Sequence, residues 1–341
     1  MYIGFYNNTK QFNKNKMLTS PASPIGDNLM YPFFYLGQLL EKLGHKVATI
    51  DTDDIKKFDA IIFIDFPAPK NKHLGQLIKN NYQNLYLITL ESPIIKPDNF
   101  DKKNHEYFKK IFTWSDELID NKKYFKINYS YKMPSNIKFA GPRKKLCTLI
   151  SSNKSIKHPA ELYTERITAI RWFEKNHLND FDLYGKGWNK YYFYGKFLGF
   201  NLLRLNRLKL LAKILSPHYP SYKGEVKSKK ETLQNYKFAI CYENANGFPG
   251  YITEKIFDCF FGGCVPIYLG ADNIKNHIPE NCFIDKRDFK TYDDLYKYIK
   301  NMHEAEYLSY ASAINNFVNG EKARQFSAEY FADILIREIT L

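Results

Sequence analysis

Arginine is scarce in this chain. Only eight of its 50 basic residues are arginine (Arg143, Arg166, Arg171, Arg204, Arg207, Arg287, Arg324 and Arg337), although the formal net charge over 341 residues is +14. Proteins that read nucleic acid lean on the bidentate guanidinium fork. A lysine-dominated surface therefore argues against a nucleic-acid partner. It leaves a solvated surface, or an anionic partner such as a nucleotide, a phosphosugar or a lipid headgroup. Cysteine is sparse too: Cys147, Cys241, Cys259, Cys264 and Cys282 make an odd count with no CxxC pair. That pattern argues against a disulfide framework or a zinc cage and fits small buried hydrophobes in a reducing compartment. No run approaches the roughly 20 apolar residues of a membrane span. The opening MYIGFYNNTK reads as a strand rather than a secretory leader. GxxxxGK[ST], HExxH and a GxGxxG following a strand are all missing, and the eight histidines are scattered, so no metal site is expected. The acidic cluster Asp51-Thr52-Asp53-Asp54 holds a DxD triplet that in other settings binds a cation; after a strand end it reads as a solvated turn.

What the chain does have is an apolar share of 44%, a charged share of 25% and an aromatic share of 17%, the composition of a globular protein of two domains. Strand-like and helix-like patterns alternate. Tyr2–Tyr6, Lys46–Ile50, Asp59–Asp65, Leu85–Leu90 and Lys110–Trp114 are the expected strands of a first βαβ series, with helices over Asn28–Leu43 and His73–Asn80. Continuous apolar runs such as DAIIFID belong to strands buried on both faces of a parallel sheet. The polar, Pro- and Gly-containing stretch Lys132–Arg143 reads as a connection. A second series follows, with strands at Leu146–Ile150, Phe181–Tyr184, Tyr236–Tyr242 and Cys264–Leu269. Helices are expected at Pro159–Lys175, Ile252–Phe261, Tyr292–Met302, Ala305–Val318 and Ala323–Arg337. The expected fold is α/β, with two doubly wound domains.

Phe197–Leu215 breaks this rhythm. It carries Arg204, Arg207, Lys209 and Lys213, no acid, and many leucines. Two readings stand: a helix packed on the second domain with its cations reaching outward, or a helix lying in the plane of an anionic membrane surface.

The most informative block is Tyr236–Gly270, YKFAICYENANGFPGYITEKIFDCFFGGCVPIYLG. It reads as strand, loop, helix, strand. The loop places Glu243 and Asn244 at a strand's C-terminal end, where open α/β sheets bind ligands. Tyr251, Thr253, Glu254 and Lys255 open the helix that follows. Unpaired N–H groups there attract phosphate, Lys255 adds a cation, and Glu254 can accept two ribose hydroxyls. A capping box with surface charges would use the same residues.

This block resembles glycosyltransferase family 10, the alpha-1,3/1,4-fucosyltransferases, in Tyr242-Glu243-Asn244, Tyr251-Ile252-Thr253-Glu254-Lys255 and Val265-Pro266-Ile267-Tyr268-Leu269-Gly270. Leu90-Glu91-Ser92-Pro93, Phe112-Thr113-Trp114-Ser115, Ile150-Ser151-Ser152-Asn153 with Arg166, and Tyr184-Gly185-Lys186-Gly187 resemble further family segments, so the likeness covers most of residues 85–285. The resemblance implies a GT-B architecture, two Rossmann-like domains facing a cleft. An acceptor-side domain would take residues 1–140. A nucleotide-sugar domain would take 141–320, with the basic insertion at 190–226, and a terminal helix 321–341. It also implies inverting transfer of fucose from GDP-fucose to a glycan acceptor with no required metal or other cofactor. Glu91 is then the candidate base. Ser152, Asn153, Arg166, Glu243, Asn244, Tyr251, Thr253, Glu254 and Lys255 are the candidate donor contacts. The stem and anchor of animal members, and the heptad repeats and basic tail of some bacterial ones, have no counterpart in these residues. The expected setting is cytoplasmic, at the inner face of the cell membrane if the basic segment binds lipid, with surface polysaccharide or lipopolysaccharide as acceptor. Three rivals remain: a transferase of the same shape with another nucleotide sugar, a basic nucleic-acid-binding protein, and a silent sugar-binding relative.

Overall fold

Apolar periodicity becomes layered structure in the computed structural model. It describes all residues except 22–28, 69–70, 138, 140–142, 144, 192, 194–195, 198–199, 216 and 341, with backbone alone at 196, 197, 200, 201, 203, 204, 206, 209, 212 and 213. Contacts divide the chain into two units. One is Met1–Pro134 with Phe248–Thr253 and Val318–Leu341; the other is Ser135–Gly247 with Glu254–Phe317.

The first unit holds β1 (Tyr2–Asn7), β2 (Lys46–Thr49), β3 (Ala60–Ile64), β4 (Leu85–Thr89), β5 (Lys110–Thr113) and β6 (Tyr124–Lys126). They form one parallel sheet in the order β2-β1-β3-β4-β5-β6. β3 is AIIFI and buried at every position. Its alternation serves two cores: Ala60, Ile62 and Ile64 face one, Ile61 and Phe63 the other. The first core is capped by the helix Tyr31–Lys42 through Phe33, Leu36 and Leu40. The helix Ala328–Thr340 adds Phe331, Ala332 and Leu335 to it, and Phe331 meets Phe33 edge-on at 5.4 Å.

The expected division at 1–140, 141–320 and 321–341 therefore differs from the one the contacts draw. The terminal helix is a component of the first unit, because its apolar stripe is buried only there. A single helix over Ala323–Arg337 is also not what forms. A 3-10 turn spans Glu321–Phe326, Ser327 is extended and pairs with Tyr131, and the α-helix begins at Ala328.

The second unit holds β7 (Lys145–Ile150), β8 (Phe181–Tyr184), the short pair β9 (Lys196–Phe197) and β10 (Phe200–Asn201), β11 (Tyr236–Tyr242), β12 (Val265–Leu269) and β13 (Ile284–Asp285). Its main sheet is parallel, in the order β13-β12-β11-β7-β8. Each sheet starts at an interior strand, steps to one side, then crosses to the other. The order reverses between β1 and β3 in one unit and between β7 and β11 in the other. Ligands of open α/β sheets bind at the carboxyl ends of such strand pairs.

The expected continuous helix over Phe197–Leu215 is not observed. The segment runs as β9, β10, a 3-10 stretch Leu202–Arg207 and a short helix Lys209–Ile214. Glycine and asparagine, which this stretch contains, have low intrinsic helix propensity, which apolar spacing does not weigh. Among the described residues, no helix is long and apolar enough to cross a membrane. All five cysteines are buried free thiols.

Candidate active site

The switch point of the second sheet is built first by a glycine. Gly185 follows β8 with φ +125, and a Cβ there would overlap the Ser151 carbonyl, so the Tyr184-Gly185-Lys186-Gly187 turn closes tightly on the end of β7. Trp188 Nε1 donates to Ser151 O at 2.7 Å. Asn153 is then held on both sides: its N–H donates to Lys186 O at 2.8 Å and its Nδ2 to Gly187 O at 3.2 Å. Ser152 and Asn153 thus stand on a fixed loop at the carboxyl end of β7.

The other lip is the end of β11. Arg166, on the helix Tyr163–Asn176, is only 4% exposed. Its Nη2 donates to Tyr242 O at 2.6 Å, Glu243 O at 2.7 Å and Asn244 Oδ1 at 3.0 Å. A guanidinium supplies fixed donors that a strand end leaving its sheet otherwise lacks. Arg166 therefore shapes the Glu243–Asn244 turn, a job its sequence position did not announce.

Glu243 is fully buried at 0% exposure. Its carboxylate accepts from Lys255 Nζ at 3.1 Å, and Glu254 Oε1 lies 3.5 Å from the same ammonium. Gly270 makes the space, since a Cβ there would come within 2.5 Å of Glu243 Cγ. Burial by itself lowers the pKa of Lys255, but the Glu243 and Glu254 carboxylates more than offset it, and the net shift is upward; Arg166 opposes it as a neighbouring cation. Lys255 is thus a held, charged group at the first turn of the helix Glu254–Phe261. Thr253 is buried just ahead of that helix.

Glu91 lies in the first unit, half-buried, two residues beyond β4. The preceding carbonyl, Leu90 O, accepts from Trp114 Nε1 at 2.9 Å and Tyr129 OH at 2.7 Å. Tyr251 belongs to the same unit. It is buried, with its ring 4.7 Å from that of Trp114. Gly250, at φ +84, lets its loop settle where a Cβ would strike Trp114 O, and Pro249 O accepts from Asp116 N at 3.2 Å. Tyr251 and Thr253 thus group with the first unit, and Glu254, Lys255, Arg166, Glu243, Asn244, Ser152 and Asn153 with the second.

The acidic cluster is consumed by turn structure. Asp51 accepts from Lys14 N at 2.9 Å, Asp53 pairs with Lys57 at 2.7 Å, and Asp54 caps the next turn through Lys56 N at 3.0 Å. Among the described residues, no group of three or more His, Cys, Asp or Glu side chains is placed to hold a metal ion.

In the basic segment, Leu208, Leu210, Ile214 and Leu215 are 52%, 74%, 71% and 49% exposed, and Arg207 is exposed as well. Leu202 and Leu205 of the same segment are partly buried, so its described apolar side chains divide between covered and exposed positions. The side chains of Arg204, Lys209 and Lys213 lie outside the described residues.

Comparison with known proteins places this geometry. The sequence profile of glycosyltransferase family 10 (fucosyltransferase), C-terminal region, matches residues 142–319, more than half the chain. The alpha-(1,3)-fucosyltransferase FucT of Helicobacter pylori is 42% identical over 78 residues, a segment that is 23% of this chain and 16% of that protein. The 4-galactosyl-N-acetylglucosaminide 3-alpha-L-fucosyltransferase 9 of Mus musculus is 39% identical over 83 residues, 23% of each chain. The aligned segments therefore span less than a quarter of either relative. Among solved structures, an alpha1,3-fucosyltransferase superposes with a TM-score of 0.58 at 17% identity, over 99% of this chain and 89% of that one. A DNA-modifying beta-glucosyltransferase gives 0.57 at 12% identity over the full length of both. These likenesses establish the GT-B fold, and the profile match establishes the lineage: the chain belongs to glycosyltransferase family 10.

Proposed function

We propose that this protein is an inverting fucosyltransferase that moves L-fucose from GDP-fucose to a hydroxyl of an acceptor glycan, in alpha-1,3 or alpha-1,4 linkage. The observation that carries the reading is the pair of held cations at the switch point of the second sheet. Arg166 and Lys255 are close enough for one to depress the other's pKa, and Lys255 sits at a helix N-terminus. Glu243 and Glu254 balance part of this charge, and the two cations together with the helix N-terminus still favour an anionic ligand, for which a nucleoside diphosphate is the fitting class. A solved alpha1,3-fucosyltransferase with GDP-fucose has the same fold, which supports the choice of donor.

The proposed chemistry draws on these groups. The acceptor oxygen attacks the anomeric carbon as the bond to GDP breaks, and its proton passes to Glu91. Negative charge developing on the departing GDP is met by Lys255, by Arg166 and by the N–H groups near Thr253. Glu254 takes the ribose hydroxyls; Ser152, Asn153, Asn244 and Tyr251 complete the donor contacts. Glu243, sealed from solvent, acts through Lys255 and cannot meet an acceptor hydroxyl.

The proposed setting is cytoplasmic, with lipopolysaccharide, another surface polysaccharide or a glycoprotein glycan as acceptor. The exposed leucines at 208–215, in a stretch from 183 to 224 that contains no Asp or Glu, support peripheral contact with an anionic membrane face. Turnover of GDP-fucose against a panel of acceptor glycans, with linkage analysis, tests the function. UDP-glucose belongs in the panel, because a glucosyltransferase crystallised with and without it shares the fold. Transfer from UDP-glucose alone would replace the fucose assignment.

A further inference from the structure

Where β4 ends at Thr89, the dipeptide Leu90–Glu91 leaves the sheet. All four of its backbone polar groups meet side chains. Leu90 N and Glu91 N both donate to Asp65 Oδ1, at 2.7 and 3.1 Å. Leu90 O accepts from Trp114 and Tyr129, and Glu91 O accepts from Asn99 Nδ2 at 3.3 Å. Asn99 is fully buried and closes the ring: its Nδ2 donates to Asp65 Oδ1 at 2.7 Å, and its Oδ1 accepts from Phe66 N at 2.6 Å. Behind it, His105 Nε2 is 2.7 Å from Asn99 O, and His105 Nδ1 is 3.0 Å from Tyr124 OH. Asp65 itself stands at φ +57, an uncommon conformation that turns its carboxylate from the end of β3 toward its neighbour strand.

A strand end does not need this much. Solvent or one turn hydrogen bond satisfies most such dipeptides. Here desolvation raises the carboxyl pKa of Asp65, and the hydrogen bonds from the Leu90 and Glu91 amides and from Asn99 offset only part of that, so burying this acid is a cost borne where its Oδ1 collects those three donors. The backbone these bonds hold is that of Glu91, from which its side chain projects. A general base has to be held within about 0.5 Å of its working position, and a displacement of about 1 Å costs roughly 10²-fold in rate.

We propose that Asp65, braced by Asn99, is a positioning residue that sets Glu91 for proton abstraction. The proposal rests on the reading of Glu91 as the base, and a double-mutant cycle keeps the two apart. Asp65→Ala is expected to lower kcat by about 10–100-fold, leaving KM for GDP-fucose and GDP affinity at parent values. Asp65→Asn, which keeps an acceptor oxygen for both amides, is expected to retain most of the rate. In a Glu91→Gln background, measured at higher enzyme concentration, Asp65→Ala is expected to cost nothing further. Equal losses in both backgrounds, or a parent-like kcat for Asp65→Ala, would overturn the positioning role. A Glu91→Gln variant that turns over like the parent would instead remove the base assignment. If Asp65→Ala does not fold, by thermal unfolding and GDP binding, Asn99→Ala goes through the same cycle: a loss confined to the Glu91 background supports the role, and equal losses in both overturn it.

Discussion

Replacing Lys255 by alanine separates the ion pair its ammonium makes from the diphosphate contact proposed for it. Glu243 has no solvent exposure, and Lys255 Nζ lies 3.1 Å from its carboxylate. Removing the ammonium leaves a buried charge without that partner, a change that costs about 3–5 kcal/mol. In a unit of this size each kcal/mol moves Tm by roughly 2–4 °C, so the ligand-free variant should melt about 6–20 °C lower. The second loss is the proposed contact to the diphosphate. A charge-assisted hydrogen bond contributes about 1.5–3 kcal/mol, or roughly 10–150-fold in Kd for GDP. Lys255→Ala combined with Glu243→Gln distinguishes the two. Neutralising the buried carboxylate should restore most of the Tm and none of the GDP affinity. Differential scanning fluorimetry reads the first quantity and titration calorimetry the second. A double variant as unstable as Lys255→Ala would refute the buried-charge argument. Parent-like GDP affinity in Lys255→Ala would refute the diphosphate contact. Because the pKa of Lys255 is raised in the fold, its contribution is complete below its unfolded value of about 10.4 and fades only as pH climbs through the folded one. Neither measurement should therefore vary near neutrality on its account.

Other outcomes follow from the same geometry. Arg166→Lys should recover only part of what Arg166→Ala loses in GDP affinity and Tm, because lysine's shorter chain stops short of the Nη2 position that meets the Tyr242, Glu243 and Asn244 oxygens; full rescue would reduce Arg166 to a point charge. Gly185→Ala should lower Tm sharply, as the Ser151 carbonyl must move, and an unchanged melting curve would contradict the closeness of that turn. His105 has its pKa lowered by burial, against the opposing hydrogen bond to Asn99 O, so its neutral form supports the fold. That support is present above its unfolded pKa of about 6.5 and is lost as pH falls below it; His105→Gln should flatten the decline in Tm between pH 7 and 5. In liposome flotation, binding should require anionic lipid, weaken with salt, and disappear when Arg204, Arg207, Lys209 and Lys213 become Glu; a variant that still floats refutes the membrane reading.

Much of the fold could be read directly because its signals are local. Tyr236–Tyr242 and Phe181–Tyr184 are strands over the very residues whose apolar runs predicted them, and Lys145–Ile150 and Val265–Leu269 differ by one residue. The donor block was legible for the same reason: strand, loop and helix are contiguous. What escaped depends on partners far away in sequence. Nothing near Asp65 announces Leu90, Glu91 and Asn99 as its hydrogen-bond donors; the only cue was an acid ending an otherwise apolar strand. The burial of Glu243 is set by Gly270, on the far side of a helix and a strand. The terminal helix reads as a separate segment in sequence because its stripe, Phe331, Ala332 and Leu335, finds its cover on the helix Tyr31–Lys42, some 290 residues earlier by the numbering. In Phe197–Leu215, leucine and lysine spacing suited a helix, but Gly199, Asn201 and Asn206 break the propensity that periodicity alone does not weigh.

The fucosyl-transfer reading meets its most direct test in a single reaction: purified protein, GDP-beta-L-fucose and an acceptor glycan carrying free N-acetylglucosamine hydroxyls, with the product's anomeric signal followed by proton NMR. Inverting transfer by Glu91 predicts an alpha-linked fucose appearing in step with GDP release. A beta-linked product, or sugar transfer seen with UDP-glucose and none with GDP-fucose, would contradict it.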